Sequence, residues 1–314
     1  MRIFIAGATG AVGRPLVSQL VARGHDVVAI SRSEERAAAV RALGAEAVVG
    51  DVFDRERVID AVQRAAPVAV INQLTDLPAS MDMRRLGDTY VRNNRVRREG
   101  TRNLLEGARR AGARRFIVQS MASWYRPDDG PEGDPIKSEE APLWTDAPEP
   151  IGEAVRTVAD MESVVLQDAS IGVVLRYGAF YGPGTWYAPD GDIARRIRSR
   201  SFPIIGSGAG IMSFVHVNDA ASAAVAALGA ASAAIYNVVD DEPARASEWV
   251  PFYAEVLGAP PPRRVPAWLA RLAIGRALTA WLTSMRGASN RKIAAELGWR
   301  PAFPAWRDGF GAMV

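Results

Sequence analysis

The chain has no cysteine and only two histidines among its 314 residues. Without thiols it has no disulfide, no thiolate nucleophile and no cysteine-ligated metal, and His25 and His216 are too few for a metal centre built on several imidazoles. No apolar run reaches the roughly 18 residues that a membrane span needs. Because Met1 already lies inside the first predicted strand, we expect no signal peptide. We therefore expect a cytoplasmic protein with no bound metal and no membrane partner.

Lysine is almost absent, since Lys137 and Lys292 are the only two among 38 basic residues. The net charge of +3 and the isoelectric point of about 9.4 raise the question of nucleic-acid binding. The densest basic segment, residues 84–115, holds eleven arginines at helical spacing with little aromatic interleaving. Because that pattern is typical of a solvated or subunit-facing helix, we expect no nucleic-acid partner. A Gly-x-Ser-x-Gly motif is also missing, which argues against a hydrolase elbow.

The amino-terminal segment combines a buried-type strand, residues 3–6, with three closely spaced glycines and a predicted helix over residues 14–23. Gly7 allows a tight turn, Gly10 lets the backbone approach a pyrophosphate, and Gly13 lets the helix pack closely on the strand. The phosphate then lies on the exposed N–H groups of the helix start. We therefore predict a dinucleotide site. Its predicted contacts here are Gly7, Thr9, Gly10, Ala11, Val12, Gly13 and Arg14.

Further apolar runs alternate with helical segments along the first half of the chain, a pattern that predicts an α/β fold with a doubly wound parallel (Rossmann) sheet. Ligands of such sheets bind outside the carboxyl ends of the strands. The runs are residues 26–30, 45–50, 68–72, 116–120 and 171–177.

The loops after these runs suggest which dinucleotide is bound. Ser31 and Arg32 follow the second strand, where an NAD site usually places a carboxylate, and an arginine suits the 2′-phosphate of NADP. Arg14 could add a second cation. We therefore predict NADP, with NAD as the less favoured cofactor. Further predicted contacts are Asp51 and Val52, the former a candidate for the adenine amino group or a helix cap, and Gln73, which directly follows the run at 68–72.

The long segment 126–150 carries six prolines and eight acidic residues, from which we expect no regular structure. Long loops of this kind are often lids, and Trp124 and Trp144 lie before and within this one. A lid over the substrate is predicted, with a plain surface loop as the alternative.

Beyond residue 181 the regular alternation of apolar runs and helical segments ends. We expect residues 1–180 to form the dinucleotide domain, with 211–240 packing back on it, and 181–314 mainly a smaller substrate domain.

The chain resembles an extended, atypical short-chain dehydrogenase/reductase of the NAD-dependent epimerase/dehydratase family over essentially its whole length. The resemblance implies a Rossmann domain with a carboxy-terminal substrate domain, often dimerised through two helices that flank the sheet. The matching segments are Gly7-Ala-Thr-Gly-Ala-Val-Gly13, Gly50-Asp51-Val52, Glu99-Gly-Thr-Arg-Asn-Leu-Leu105, Arg115-Phe-Ile-Val-Gln-Ser120, Leu175-Arg-Tyr177, Tyr181-Gly-Pro-Gly184, Phe214-Val-His-Val-Asn-Asp219, Tyr236-Asn-Val238 and Leu297-Gly-Trp-Arg-Pro301.

The catalytic signature of that family does not occur in this chain. Its members use Tyr-x-x-x-Lys, in which the lysine lowers the tyrosine pKa for proton exchange with the substrate. Here Ile151 and Val155 take the two expected places, and Met121 takes the place of the usual serine or threonine after the fifth strand. The substitute catalytic residues that we predict are Ser120, Ser123, Tyr125 and Arg156, with Tyr125 or a water relayed through Ser120 as the proton source.

These observations leave three functions open. The favoured one is an NADP(H)-dependent oxidoreductase or epimerase-like enzyme that acts on a small carbonyl or hydroxyl compound through a non-standard site. A dinucleotide-binding sensor or scaffold without turnover is the second. A non-redox lyase or isomerase that keeps the cofactor as structure is the third. A homodimer that binds a small-molecule substrate is the expected assembly.

Overall fold

A computed structural model describes residues 1–80, 86–127, 134–167 and 172–314. In the first part the elements are β1 (Arg2–Ala6), α1 (Gly13–Ala22), β2 (Asp26–Ser31), α2 (Glu34–Arg41), β3 (Glu46–Val49), α3 (Arg55–Ala65), β4 (Ala69–Asn72), α4 (Leu86–Arg95), a π-helix (Val96–Gly100), α5 (Thr101–Arg110), β5 (Arg115–Met121) and a 3-10 turn (Ala122–Trp124). Strand-forming apolar runs and amphipathic helices therefore alternate as the sequence predicts.

The second part is richer in short strands. Its elements are β6 (Ile136–Lys137), α6 (Ile151–Leu166), β7 (Gly172–Tyr177), β8 (Ala179–Tyr181), α7 (Asp192–Arg198), β9 (Ile204–Ile205), β10 (Ile211–Met212), β11 (Phe214–His216), α8 (Val217–Ala226), a 3-10 turn (Ala227–Gly229), β12 (Ala234–Val238), β13 (Ala244–Arg245), α9 (Ala246–Val256), β14 (Arg264–Val265), α10 (Ala267–Ile274), α11 (Arg276–Ser284), β15 (Gly287–Ala288), α12 (Arg291–Leu297) and α13 (Trp306–Gly311). Residue 171, predicted to start a strand, lies outside the described residues.

A seven-stranded parallel sheet forms the centre of the fold, in the order β12-β7-β5-β4-β1-β2-β3. The predicted doubly wound Rossmann sheet is therefore confirmed. The chain runs outward from β1 in one direction through β2 and β3, and in the other through β4 and β5. A crevice opens at such a switch point outside the carboxyl ends of β1 and β4, which places a ligand site there.

Strand β1 is apolar throughout because both of its faces are buried. Ile3 and Ile5 pack into one core with Leu16 of α1, whereas Phe4 packs into a second core with Leu104 of α5. Alternate residues of a strand point to opposite faces, so one short run contributes to two cores. This double burial fixes where the glycine turn after β1 emerges.

A third cluster, largely aromatic, joins the carboxy-terminal elements through Tyr181, Tyr187, Phe214, Trp249 and Phe310. Strand β12, from within the segment 211–240, belongs to the central sheet.

The domain boundaries at residues 180 and 181 stay a prediction, as do the homodimer and the cytoplasmic location. Across the described ranges, none of the helices combines the length and the apolar character that crossing a membrane requires.

The expectation that the prolines of segment 126–150 exclude regular structure is wrong for one stretch. Strand β6 pairs in parallel with β15, and an isolated bridge joins Tyr125 to Leu143. Pro135 does not prevent the pairing, because its carbonyl accepts a hydrogen bond from Gly287 and no donor is required of it. Residues 128–133 of this segment lie outside the described residues.

Candidate functional site

The turn after β1 has the geometry that its glycines predict. Gly7 has φ of +94°, and a Cβ there would lie 2.7 Å from the backbone carbonyl carbon of Gln73. A Cβ on Gly13 would lie 2.1 Å from the Gly7 carbonyl oxygen. Gly10 meets only a 3.3 Å contact on the protein side. Gly7 and Gly13 are therefore needed for close backbone packing, and Gly10 leaves open the approach of a ligand.

Helix α1 begins at Gly13, directly beyond this turn, so the positive end of its dipole lies beside the turn. The backbone N–H of Gly10 donates to Gly7, and the Arg14 side chain donates to the Thr9 carbonyl oxygen at 3.3 Å. A diphosphate bound here would be met by backbone donors and by the charge of Arg14. This arrangement fits the pyrophosphate of a dinucleotide.

A cavity of about 470 Å³ extends from the turn across the carboxyl ends of β1, β2 and β4. Among the predicted cofactor contacts, the ones that line it are Gly7, Thr9, Gly10, Arg14, Ser31, Arg32, Val52 and Gln73. The lining does not include Ala11, Val12, Gly13 or Asp51. The Asp51 carboxylate instead accepts a hydrogen bond from the Phe53 N–H at 3.0 Å, which supports the loop after β3.

Arg36 is a lining residue that the sequence interpretation missed. It lies in the first turn of α2, whose start is capped by the Ser33 hydroxyl accepting from the Arg36 N–H. Arg36 follows Arg32 by four residues, and this spacing could have indicated a second arginine at the site. In the sequence, however, an arginine on a helix looks like an ordinary surface residue. The end of the cavity beside β2 thus has two exposed arginines, one from the loop after β2 and one from α2, together with Glu35.

At the carboxyl ends of β5 and β7 lies a buried ion pair that no local sequence signal indicated. The Arg176 guanidinium donates to both carboxylate oxygens of Glu162 on α6, the shortest contact being 2.6 Å. The Ser120 hydroxyl donates to the same carboxylate. The pairing raises the pKa of Arg176 against the effect of its burial. These three residues therefore form a closed charged group between the sheet and α6.

Tyr125 extends this group toward β12. Its hydroxyl donates to the Asn237 side-chain oxygen at 2.6 Å and accepts from Arg176 at 3.0 Å. Burial raises the pKa of Tyr125 to about 12, and the positive charge of Arg176 partly opposes the rise. The Glu139 carboxylate accepts from the Asn237 N–H at 2.7 Å, and burial raises the pKa of Glu139. We define Ser120, Tyr125, Glu139, Glu162, Arg176 and Asn237 as the buried polar network.

The predicted catalytic residues therefore do not come together in one open site. Ser120 and Tyr125 belong to the buried polar network. The carbonyl of Ser123 accepts from the Trp281 indole at 3.1 Å, and Arg156 is exposed and pairs with Glu149 and the Thr145 carbonyl at the start of α6. Their catalytic roles stay predictions.

The positions that would carry Tyr-x-x-x-Lys lie in an apolar cluster. Ile151 and Val155, one turn apart on α6, are both buried and pack with Tyr90 of α4 and with Trp124. Met121 packs against the same cluster. We define Tyr90, Met121, Trp124, Ile151 and Val155 as the α4–α6 cluster. The place at which the family pattern would put three polar catalytic groups is thus apolar.

Segment 134–150 lies against the carboxyl end of β5. The Trp144 N–H donates to the Trp124 carbonyl at 2.9 Å, and the Arg126 N–H donates to the Pro142 carbonyl at 2.9 Å. Together with the Glu139 contact, these bonds attach the segment beside the α4–α6 cluster. Its role as a lid stays a prediction.

In the described ranges no group of three His, Asp or Glu side chains could hold a metal ion.

With this geometry in place, comparison identifies the chain as a member of the NAD dependent epimerase/dehydratase family, whose model matches residues 3–238. The family predicted from the motifs is therefore confirmed, and the chain is an enzyme of the NAD(P)-dependent oxidoreductase or epimerase type. This excludes the interpretation as a sensor or scaffold without turnover.

The chain is similar to two named reductases. It is 46% identical over 312 residues to 3-diazoavenalumate denitrifying reductase of Streptomyces sp, an alignment that covers 99% of each protein. It is 28% identical over 268 residues to 2-alkyl-3-oxoalkanoate reductase of Stenotrophomonas maltophilia (strain K279a), covering 83% of this chain and 77% of the relative.

Solved structures share the fold over the full chain. MoeE5, in complex with UDP-glucose and NAD, aligns with a TM-score of 0.74 at 25% identity and covers 100% of this chain and 97% of its own. The human epimerase family protein SDR39U1 (isoform 2), solved with NADPH, aligns with a TM-score of 0.73 at 20% identity and covers 100% and 99%, which shows the fold alone. A nicotinamide cofactor is thus common to these neighbours.

Proposed function

We propose that this protein is an NADP(H)-dependent reductase whose hydride acceptor needs no proton from a tyrosine–lysine pair. The observation that carries the proposal is the apolar character of Met121, Ile151 and Val155, which lie together in the α4–α6 cluster. A carbonyl that receives a hydride develops negative charge on oxygen and needs donors and a proton. The side chains of Met121, Ile151 and Val155 deliver no proton, so an acceptor that needs none fits this site better.

A diazo or diazonium group is the acceptor that best fits such a lining. Hydride from NADPH adds to the terminal nitrogen of R–N₂⁺ and forms the neutral diazene R–N=N–H. The diazene loses N₂ and leaves R–H, so that R–N₂⁺ and NADPH give R–H, N₂ and NADP⁺. No oxyanion forms and no acid is consumed. The relative at 46% identity over nearly the whole chain is named a denitrifying reductase of a diazo compound, which supports this substrate class.

The cofactor of this proposed function is NADP(H) rather than NAD(H). Arg32 and Arg36 line the adenosine end of the cavity, and Arg14 lines the turn beside it. Arginine pairs well with phosphate, and NADPH differs from NADH only in its 2′-phosphate. When bound, NADP(H) supplies the hydride, while the chain's own residues hold the diphosphate at the glycine turn and the 2′-phosphate at the arginines.

Carbonyl reduction is the second candidate. The similarity to an oxoalkanoate reductase supports it, and Tyr125 with its neighbour Arg176 would be the proton source. The closed hydrogen bonds of the Tyr125 hydroxyl weigh against that role, because the proton is already donated to Asn237 in a buried place. A non-redox use of the cofactor lacks a supporting observation of this kind.

The test compares acceptors under single-turnover conditions with NADPH. The purified protein is mixed with 4-carboxybenzenediazonium or with a 3-oxo ester, and NADPH absorbance is followed together with product analysis. We expect stoichiometric formation of benzoate and N₂ from the diazonium probe, well above the rate of a protein-free control. If NADPH is consumed only with the oxo ester, the carbonyl function replaces the diazo proposal. If neither probe is reduced faster than the protein-free control, both candidates fail.

A further inference from the structure

Helix α4 turns a polar face toward the interior of the protein. Tyr90, Asn94 and Arg97 follow one another at i, i+4 and i+7, a spacing that places them on one side of a helix. They are only 8%, 1% and 3% exposed, whereas Val91 is 61% exposed. A surface helix ordinarily buries its apolar residues. On α4 the polar side chains are buried instead, so they need hydrogen-bonding partners in the interior.

Several hydrogen-bonding atoms on this face have no partner. Within the described ranges, no hydrogen bond reaches Arg97 Nη1, the side-chain nitrogen and oxygen of Asn94, or Trp124 Nε1, and all of these atoms are buried. The Arg97 guanidinium carbon lies 5.4 Å from the centroid of the Trp124 ring, and the Tyr90 and Trp124 rings lie 6.1 Å apart. Buried polar groups are rarely left unpaired, because they have lost their water. Three of the four atoms are donors, so the missing partner is rich in acceptors.

Among the residues that the structure describes, none forms an ion pair with Arg97. Burial lowers the pKa of Arg97 to about 10, and the negative charge of Glu162 partly opposes that shift. At neutral pH the side chain is therefore still a cation. The Glu162 carboxylate is already engaged by Arg176 and Ser120. A ligand that brought negative charge to Arg97 would offset the cost of its burial.

The position of Arg97 connects this face with the cofactor cavity. It lies in the π-helix Val96–Gly100, and its neighbour Val96 lines the cavity. A π-turn inserted between α-helical segments often marks a functional site. Here Val96 lines the cavity, and the adjacent Arg97 lies over the Trp124 ring. The unpaired donor of Arg97 is thus one residue away from the cavity lining.

We propose that Arg97, Asn94 and the Trp124 indole bind the carboxylate of the substrate, whose apolar, conjugated or aromatic part lies against the α4–α6 cluster. A carboxylate supplies two acceptor oxygens and the missing negative charge, and it pairs well with arginine. The aromatic rings of Tyr90 and Trp124 suit a flat hydrocarbon framework. The proposal deepens the proposed function, on which it rests, by naming the substrate as an aromatic or conjugated carboxylic acid.

Binding of unreactive probes tests this site without turnover. Calorimetry with the NADP⁺-saturated protein compares trans-cinnamate, its neutral amide cinnamamide, and 4-nitrophenolate, which carries its charge on a phenol oxygen. We expect cinnamate to bind more tightly than cinnamamide. Arg97→Met should weaken cinnamate about tenfold or more and leave cinnamamide nearly unchanged, while Arg97→Lys should retain part of the difference. Arg92→Met, which removes an exposed charge from the adjoining helix α4, is the matched control.

A second variant keeps the proposal falsifiable if Arg97→Met does not fold. Trp124→Phe retains a ring but loses the indole N–H, and it should weaken cinnamate severalfold without an effect on cinnamamide. Equal affinities of the parent protein for cinnamate and cinnamamide, or equal losses in the variants, would overturn the site. Tighter binding of 4-nitrophenolate than of cinnamate would overturn the carboxylate assignment. Cinnamate selectivity without diazonium reduction would defeat the proposed function and leave the carboxylate site standing.

Discussion

The proposed binding of the NADPH 2′-phosphate by Arg32 and Arg36 makes a quantitative prediction about cofactor choice. Arg32 and Arg36 both line the cavity and are exposed. A charge-assisted hydrogen bond contributes about 1.5–3 kcal/mol, and exposure favours the lower end of that range. A loss of about 1.4 kcal/mol corresponds to tenfold in affinity. Arg32→Ala should therefore weaken NADPH binding about tenfold, and the double Arg32→Ala/Arg36→Ala variant about a hundredfold.

NADH is the internal reference, because it lacks the 2′-phosphate and should bind both variants nearly as well as the parent. Calorimetry or quenching of protein fluorescence measures both cofactors. Arg41→Ala is the matched control, since Arg41 also belongs to α2 but pairs with Glu34 and does not line the cavity. Added salt should reduce the NADPH preference of the parent, because exposed charges are screened. Equal losses for the two cofactors would refute the reasoning.

Two further predictions concern the buried polar network. Arg176→Met should lower the free energy of unfolding by about 3–5 kcal/mol, because it leaves the Glu162 charge buried without its partner. In a thermal-unfolding experiment this loss corresponds to a melting temperature about 6 °C lower. Arg307→Met, which removes an exposed ion pair, is the control and should change the melting temperature little. Tyr125→Phe should cost about 1–3 kcal/mol of stability and keep hydride transfer within severalfold of the parent; a transfer rate lowered a hundredfold at unchanged stability would restore Tyr125 as the proton source.

Local sequence patterns were sufficient to predict the parallel sheet and the glycine turn. Strands buried on both faces are continuous apolar runs. The positive φ of Gly7 and the close contact between Gly13 and the Gly7 carbonyl both arise within the turn itself. The buried polar network could not be predicted in the same way. Glu162, Arg176 and Asn237 come from α6, β7 and β12, and each by itself looks like an ordinary polar residue. Only the strand order brings them together.

The helix of residues 86–95 shows the same limit at the candidate site. Arginines at helical spacing predicted a solvated or subunit-facing helix, and Arg92 and Arg95 are exposed. Arg97, two residues further, is buried over Trp124 instead. Arg97 follows Tyr90 and Asn94 at i+7 and i+3, so it lies on their buried side, away from Arg92 and Arg95. A count of arginines along the segment therefore does not separate the buried arginine from the exposed ones, because their positions around the helix decide it.

The proposed dependence of the acceptor class on the apolar pair on α6 can be tested by making that pair polar. Ile151 and Val155 are one turn apart on the same face, so Ile151→Tyr with Val155→Lys rebuilds the spacing of an acid and its supporting cation. General acid catalysis contributes about 10²–10⁴-fold, and a lysine buried in an apolar cluster has a lowered pKa and lowers stability. We therefore expect a gain near the lower end of that range in oxo-ester reduction.

NADPH oxidation measures that gain in the double variant beside the single Val155→Lys variant, which carries the buried cation without the acid. Only the double variant should gain, because the cation by itself delivers no proton efficiently to the developing oxyanion. A folded, NADPH-binding double variant with no gain would show that the apolar lining does not set the acceptor class. A parent enzyme that already reduces the oxo ester at the same rate would show that its proton comes from elsewhere. In either case the proposed carboxylate contacts of Arg97, rather than the missing acid, would be the guide to the substrate.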